Sequence, residues 1–391
     1  MNHMAKKELL KEIKPRYLKA GKEDKSKILD EFCESTHYNR KYAITILQAK
    51  FDNDRIKNSG RKKRKRIYEN PVITATIKVW ETLDFPCGIR LKPQLLPMIE
   101  AMERHKEITV VQKVKNLLKR ISAKTLDRKL KKERQIRRLG RNRGMTCRGT
   151  MLKSSIPIRI TNWDTAKLGY AETDTVAHNG GDPSGEFIYS LDIVEIYSGW
   201  SEQYAVMGKG EKGVVNALNE IEKDLPFKLI GLDSDSGSEF INWHMVKHCQ
   251  KKNLFFTRSR PDHKNDNAHI EERNNTCVRK LLGFGRFDTA QQLEAINDLY
   301  RNELRLYNNF FLPIMKIISK EKINNSVCRK KYDEAKTPYQ RMMESKQVSK
   351  EQKEKLHALY LTLNPVQLKK KIDEKISFIL CKMGEDSECI K

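Results

Sequence analysis

The chain has 391 residues, 38% hydrophobic and 33% charged, with 77 Lys and Arg against 51 Asp and Glu and a formal net charge of +26. That allows a sizeable core and about two to four domains, and the excess of cations points to a polyanionic partner, nucleic acid above all. No run approaches the ~18 apolar residues of a membrane span, the N-terminal "MNHMAKKELLKEIKPRY" lacks the apolar stretch of a signal peptide, and eight scattered cysteines without a Cys-x-x-Cys argue against a thiolate zinc site or disulfide framework and for a reducing, cytoplasmic, DNA-associated setting.

In chain order, residues 5–58 read as helical. Ile28, Leu29 and Phe32 share one inward stripe, a polar break follows at Glu34-Ser-Thr-His37, and a second helix carries Tyr42, Ile46 and Leu47. Helix, short turn and helix with basic flanks suggests a helix-turn-helix. "SGRKKRKR" at 59–66 reads as a basic linker. Residues 71–135 repeat the helical theme, with Val110, Val114 and Leu117 on one stripe and Ser122 placed to cap a helix over about 123–134. That helix offers Lys124, Arg128 and Lys129 to phosphates and is the best candidate recognition helix, followed by a strongly basic tail.

The pattern changes near residue 155. "GYAETDTVAH" (169–178) and "GEFIYSLDIVEIYSGWSEQYAVM" (185–207) read as three strands, the last two joined by a turn at Ser198-Gly199. A helix at 211–223, a strand at 228–232, a helix from about 239, a strand at 254–259, and helices at about 266–281 and 289–309 follow, the last capped by Thr289. The order implies an α/β unit with a mixed sheet. Residues 314–391 read as helical and basic, with Pro338 and Pro365 at helix starts.

Several carboxylates fall where strands end or helices begin: Asp174, the cluster Asp233, Asp235 and Glu239, and the pair Glu271 and Glu272. In an open α/β sheet such positions converge on one edge. Bare carboxylates in one cleft repel each other, and a divalent cation relieves the repulsion; hard oxygen donors favour Mg²⁺ or Mn²⁺. Two such ions suit phosphodiester chemistry. Spacing alone leaves the choice of acids open. His244 and His248, four apart on a helix, are a metal pair only if a third ligand lies near. Trp200 and Trp243 read as core residues, and His178 shares a strand face with Asp174.

"ETDTVAH", "DSGSEFIN" and "SRPDHKNDNAHIEERNN" closely resemble the integrase core of DDE transposases, especially those of bacterial insertion sequences, and are similar to the retroviral integrase superfamily. Asp235 and Glu271 are separated by 35 residues, as in that family, and Glu271 begins a Glu-x-x-Asn match ending at Asn274. "KKYDEAKTPYQRMM" (330–343) resembles the region that follows the core in such transposases. The resemblance implies a ribonuclease H-like α/β core at 155–312. Before it would lie a helix-turn-helix domain at 1–58, a linker at 59–70 and a second helical DNA-binding domain at 71–150, and after it a helical region at 313–391.

The same resemblance makes Asp174, Asp235 and Glu271 the catalytic, metal-binding triad for two Mg²⁺ (or Mn²⁺) ions and passes over Glu272, which breaks both the spacing and the Asn match; Asp233 and Glu239 keep supporting places. Three departures stand out. Asp235-Ser236-Gly237 replaces Asp-Asn-Gly, Glu195 replaces the commoner Asp of the hairpin, and Asn275 and Val278 stand where retroviral integrases carry lysines. Basic contact to a DNA end is therefore expected from Arg258, Arg260, Lys264, Arg273 and Arg279, with His178, Glu195 and Asn274 in support. The implied activity is metal-dependent cleavage and strand transfer at element ends by a DNA transposase. Its partners would be double-stranded terminal inverted repeats and target DNA, and it would act as a homo-oligomer on paired ends. A structure-specific nuclease of the same fold and a transposase-derived DNA-binding regulator are the alternatives.

Overall fold

The structure is a computed structural model that describes residues 1, 3–49, 67–137, 167–234, 240, 242–258, 268–324 and 327–385. The described chain divides into two compact units, Met1–Ile67 and Tyr68–Lys391.

The first unit is three helices: α1 (His3–Lys19), α2 (Lys22–Thr36) and α3 (Arg40–Gln48). Ile28, Leu29 and Phe32 of α2 bury against Tyr17, Ala43 and Leu47. His37 ends α2 in the left-handed conformation, φ 54°, and its N–H returns to the Cys33 carbonyl at 2.7 Å. Asn39 then caps α3 by accepting from the Lys41 N–H at 3.0 Å. The break between the helices is thus His37–Asn39, later than the expected Glu34–His37, because Thr36 returns its hydroxyl to the Phe32 carbonyl inside α2. Tyr42, expected inward, is 52% exposed and sits edge-on to Tyr38.

The second unit opens with α4 (Asn70–Thr82), α5 (Gly88–Arg104), α6 (Gln112–Arg120) and α7 (Ala123–Ile136). Only Ile121 and Ser122 separate α6 from α7, and the Ser122 hydroxyl accepts from the Thr125 N–H at 3.2 Å, as a cap requires. Leu126 and Leu130 of α7 bury with Trp80, Leu91, Leu95 and Leu118. Asp127 accepts the Gly88 N–H at 2.8 Å, so the first turns of α5 and α7 lie almost in contact. A Cβ at residue 88 would stand 2.2 Å from the Ala123 carbonyl oxygen, which is why only glycine fits.

The α/β part follows: β1 (Tyr170–Ala177), β2 (Ile188–Glu195), β3 (Ser201–Met207), α8 (Glu211–Asp224), β4 (Gly231–Ser234), α9 (Trp243–Lys252) and β5 (Phe255–Arg258). They form a mixed five-stranded sheet in the order β3-β2-β1-β4-β5. β1, β2 and β3 are antiparallel neighbours, and β4 and β5 add in parallel. Gly199, φ 75°, makes the β2–β3 turn that the Ser-Gly pair announces. One sheet face is apolar: Ala171, Leu191, Ile193 and Leu232 pack on Val214 and Leu218 of α8 and Met245 of α9. By alternation the other face presents Glu172 and Asp174 from β1 and Ser190 and Asp192 from β2. The helix expected from about residue 239 starts at Trp243, where the Asn242 side chain accepts from the Met245 N–H at 2.8 Å; Gly237 and Glu239 lie outside the described residues.

α10 (Ala268–Arg273) continues through a π-helical turn, Asn274–Arg279, into α11 (Lys280–Leu282). α12 (Ala290–Leu299) likewise passes through a π turn, Tyr300–Leu304, into α13 (Arg305–Phe310), and Thr289 with Gln292 forms the capping box of α12. The region after the core is not helical throughout. There β6 (Ile317–Asn324) and β7 (Val327–Tyr332) pair antiparallel. This stretch has no helical apolar stripe to bury, and β-branched Ile317, Ile318, Ile323 and Val327 favour strands. Helices resume as α14 (Pro338–Glu344), α15 (Lys350–Thr362) and α16 (Pro365–Glu385), with Pro338 and Pro365 at their first positions as expected. Ile372 and Ile379 of α16 join the same core as Trp80 of α4 and Phe310 of α13. Gln94 of α5 donates to the Ala335 carbonyl at 3.1 Å, and the Tyr307 hydroxyl donates to the Thr82 carbonyl at 2.6 Å. No described helix is long and apolar enough to cross a membrane.

Candidate active site

Asp174 stands near the middle of β1 on the polar sheet face, partly buried. Its Oδ1 accepts the Thr175 N–H at 2.7 Å, and its Oδ2 accepts the Asn274 Nδ2 amide at 2.7 Å. Two residues earlier, Glu172 is buried, and its Oε2 accepts the Ile270 N–H at 3.1 Å. The two acids of β1 therefore hold α10 at both ends of one turn, at Ile270 and at Asn274. Glu271 lies between those anchors, exposed, three residues before Asn274. Glu271 follows Ile270 and precedes Asn274 by three residues, so it belongs to the segment that these two contacts hold against β1. The helix widens into its π turn at Asn274, a distortion common at functional positions.

The neighbouring acids have other employment. Glu272 pairs with Arg90 of α5 at 2.8 Å. Asp233 is fully buried within β4, where its carboxylate accepts the Thr257 hydroxyl from β5. Asp235, Arg260 and Lys264 lie outside the described residues. The last residue of β4, Ser234, pairs with Thr173, the residue before Asp174. One covalent step, about 3.8 Å between Cα atoms, separates Ser234 from Asp235.

The supporting residues sort by burial. Glu195 is buried, and its carboxylate accepts the N–H groups of Tyr197 at 2.9 Å and Ser198 at 2.6 Å and the Gly169 N–H at 3.2 Å. It shapes the β2–β3 turn, and burial raises its pKa. His178 is also fully buried, against Phe287, with its Nε2 2.8 Å from the Ser190 hydroxyl, which in turn lies 2.8 Å from the Tyr300 hydroxyl. Burial and the nearby Arg279 cation hold it neutral, its pKa pulled down to about 3. It belongs to the packed interior and does not line an open site.

Among the expected DNA contacts, Arg273 is turned inward. It is buried, with Nη2 donating to the Gly199 carbonyl at 2.9 Å, so it braces the β2–β3 turn. Arg258 is buried at the end of β5, paired in register with Ser234. Arg279 is partly buried, its guanidinium 5.0 Å from the Phe284 ring. Lys124 and Arg128 are exposed on the outer face of α7, with Lys129 partly so. His244 and His248 face different glutamates, Glu211 at 3.8 Å and Glu222 at 3.3 Å, and do not converge on one centre. Trp200 is buried as expected, whereas Trp243, at the exposed start of α9, is 60% exposed.

Two residues of the polar face escaped the sequence reading. One is Glu172, whose place on the same face as Asp174 follows from strand alternation. The other is Asp192, directly across from Asp174 in the β1–β2 ladder. Asp192 is fully buried, accepts Gln203 Nε2 at 2.8 Å, and has its pKa pushed up to about 7 by burial, against the pull of Gln203 and Arg273. A charged residue inside the apolar run "LDIV" was the available signal. Among the described residues no three His, Cys, Asp or Glu side chains gather as a metal site. The accessible donors at the strand–helix junction, Asp174 and Glu271, are all hard oxygens, the type that magnesium takes.

No family model matches the chain. Over 326 residues it is 35% identical to "Uncharacterized protein y4rM" of Sinorhizobium fredii (strain NBRC 101917 / NGR234), an alignment spanning 83% of this chain and 91% of that protein. The chain belongs to that protein's family. Solved structures to which this family member is similar include three retroviral ones. The HTLV-2 integrase catalytic core domain in complex with magnesium is 13% identical, covers 37% of this chain and 88% of that one, and gives a TM-score of 0.28. The catalytic core domain of BIV integrase is 13% identical over 44% and 91%, with a TM-score of 0.29. The simian T-cell lymphotropic virus intasome in complex with PP2A regulatory subunit B56 gamma is 12% identical over 60% and 70%, with a TM-score of 0.32.

Proposed function

We propose that this protein is a DNA transposase that cleaves phosphodiesters at the ends of a mobile element and joins them to target DNA. The observation that carries the reading is the 2.7 Å bond from Asn274 to Asp174. It ties the Glu-x-x-Asn motif to the acid of β1, two parts of the sequence resemblance that lie 100 residues apart. The β4–β1 register, ending at Ser234 and Thr173, supports Asp235 as the third member.

Asp174, Asp235 and Glu271 would hold two divalent ions, and the all-oxygen donor set fits Mg²⁺ or Mn²⁺. Bound there, the ions supply positive charge against the carboxylates and the reacting phosphate. The chain's own residues do the rest. Asn274 fixes the Asp174 carboxylate, while Glu172 sets the start of α10. The exposed cations of α7 grip duplex phosphates. Water attacks the phosphodiester at the element end, breaking its bond to the 3′ oxygen and leaving a free 3′-OH. That 3′-OH then attacks a target phosphodiester in line, exchanging one P–O bond for another with no covalent protein intermediate. Paired element ends call for more than one copy of the chain.

The test is cleavage and strand transfer of a labelled duplex carrying the inverted repeats that flank the reading frame, in Mg²⁺ and in Mn²⁺. Asp174→Asn and Glu271→Gln should each abolish product while leaving duplex binding intact. Full Mg²⁺-dependent activity in either variant would sink the triad. Hydrolysis without joining would move the reading to a nuclease.

A further inference from the structure

The β6–β7 pair is a two-stranded sheet of its own, separate from the five-stranded sheet. Its strands carry Lys320, Lys322, Arg329, Lys330 and Lys331 against a single acid, Glu321. The register sets Lys320 opposite Lys330. Five cations against one acid on one short ribbon suit a bound polyanion. Lys330, Lys331 and Tyr332 are exposed. Adjacent strand residues alternate between faces, so Lys330 and Lys331 place cations on both sides of the ribbon.

The base of the ribbon is held by several polar contacts. Lys316 N–H donates to Asp333 Oδ1 at 2.6 Å, Asp333 N–H donates to the Lys316 carbonyl at 2.9 Å, and Arg341 pairs with Asp333 at 2.7 Å. Lys316 Nζ donates to the Ile196 carbonyl at 2.7 Å and to that of Tyr197, in the β2–β3 turn. The same turn receives Arg273 at the Gly199 carbonyl. Arg273 is two residues beyond Glu271 on α10. One turn thus clamps both the ribbon and the helix that bears a proposed catalytic acid.

We infer that the β6–β7 ribbon is a duplex-DNA clamp that lies in the major groove beside the phosphodiester to be cut. The major groove admits a two-stranded ribbon and offers phosphates along both walls, which matches cations on both faces. The contact is to phosphates and carries no sequence preference of its own. The duplex contact rests on the reading of the protein as one that acts on duplex DNA, and the ribbon's place beside the cut phosphodiester rests also on Glu271 as a catalytic acid.

The experiment compares the full-length protein with Lys330→Ala/Lys331→Ala and with the charge-keeping Lys330→Arg/Lys331→Arg, using fluorescence anisotropy on duplex and single-stranded oligonucleotides across a salt series. Circular dichroism confirms that each is folded. The alanine pair should weaken duplex binding by roughly ten- to thirty-fold near physiological salt, and should lower the slope of log affinity against log salt by about 1.8, for two phosphates released. The loss should be equal for repeat and unrelated sequences, and the arginine pair should restore it. Wild-type affinity and slope in the alanine pair would overturn the clamp, as would a loss confined to single strands. The outcome separates cleanly from the catalytic reading. An alanine pair that loses duplex binding, in a protein whose wild type never cleaves, keeps the clamp and removes the transposase. An alanine pair that binds normally, beside an inactive Asp174→Asn, does the reverse.

Discussion

Asn274→Asp is the sharpest probe of the site, because it is nearly isosteric and turns a donor into a charged acceptor. In the wild type the Asn274 Nδ2 amide meets Asp174 Oδ2 at 2.7 Å. A hydrogen bond to an ionised group contributes about 1.5–3 kcal/mol. Asn274→Asp replaces that attraction with a second carboxylate facing the first, so the lower figure is a floor. If the bond orients Asp174 for the reaction, its loss falls on the chemical step. At 1.36 kcal/mol per factor of ten, the cleavage rate should drop by roughly ten- to 150-fold. Single-turnover cleavage of an end-labelled duplex at saturating protein isolates that step. Duplex affinity should stay within about twofold, since Asn274 is set on the polar face under α10 and not among the exposed cations. Asn274→Ala should give a smaller loss, because it removes the donor without adding charge. A folded Asn274→Asp that cleaves at the wild-type rate would refute the orienting role, and with it the physical reason for the Glu-x-x-Asn spacing.

Other outcomes follow from the same contacts. Gly88→Ala places a Cβ 2.2 Å from the Ala123 carbonyl oxygen, so α5 and α7 must part; a loss of about 1–3 kcal/mol should show as a lower denaturation midpoint. Lys124→Ala/Arg128→Ala, at exposed positions of α7, should leave the midpoint unchanged within ~0.5 kcal/mol while weakening duplex binding at all sequences. His178, with a folded pKa of about 3 against an ordinary 6.5, binds its proton only in the unfolded chain between those values, so it makes stability rise with pH across that window. Asp192, raised to about 7, tilts the opposite way between its ordinary value of 3.8 and 7. The comparison of wild type with His178→Gln cancels the Asp192 contribution. The difference in stability should grow from pH 3 to 6.5 in favour of the wild type and then level off. A difference that is flat with pH would mean that His178 is not buried neutral.

The fold was legible where local pattern and burial agree. Strand alternation located β1, β2 and β3, the Ser198-Gly199 pair located their turn, and Ser122, Thr289, Pro338 and Pro365 each marked a helix start, because caps and punctuation are decided by neighbouring backbone. The β6–β7 pair was missed because its charged residues interrupt the apolar alternation that marks a strand. In the site, Asp174, Glu271 and Asn274 are named through the resemblance to integrase cores, and the structure joins Asn274 to Asp174. Arg273 and Arg258 could not be sorted from surface cations, because whether an arginine reaches water or a carbonyl such as that of Gly199 is settled by tertiary packing. His178 and Asp192 show the same limit: the sequence shows a titratable group on a strand, and only the packed interior shows that burial governs its charge.

The first turn of α5 touches two things at once. Its Gly88 N–H is taken by Asp127 of α7, and its Arg90 pairs with Glu272 of α10. On the proposed reading, that single turn makes the protein a caliper: one jaw is the helix that grips the duplex, and the other is the helix beside the cutting point. The span between them is set by packed backbone and not by a linker. Each base pair inserted into DNA moves one jaw's target by about 3.4 Å along the axis and turns it by about a tenth of a helical repeat. Element ends should therefore keep a constant count of base pairs between the gripped tract and the scissile phosphate, and an insertion of one or two should cost cleavage while leaving binding at each jaw intact.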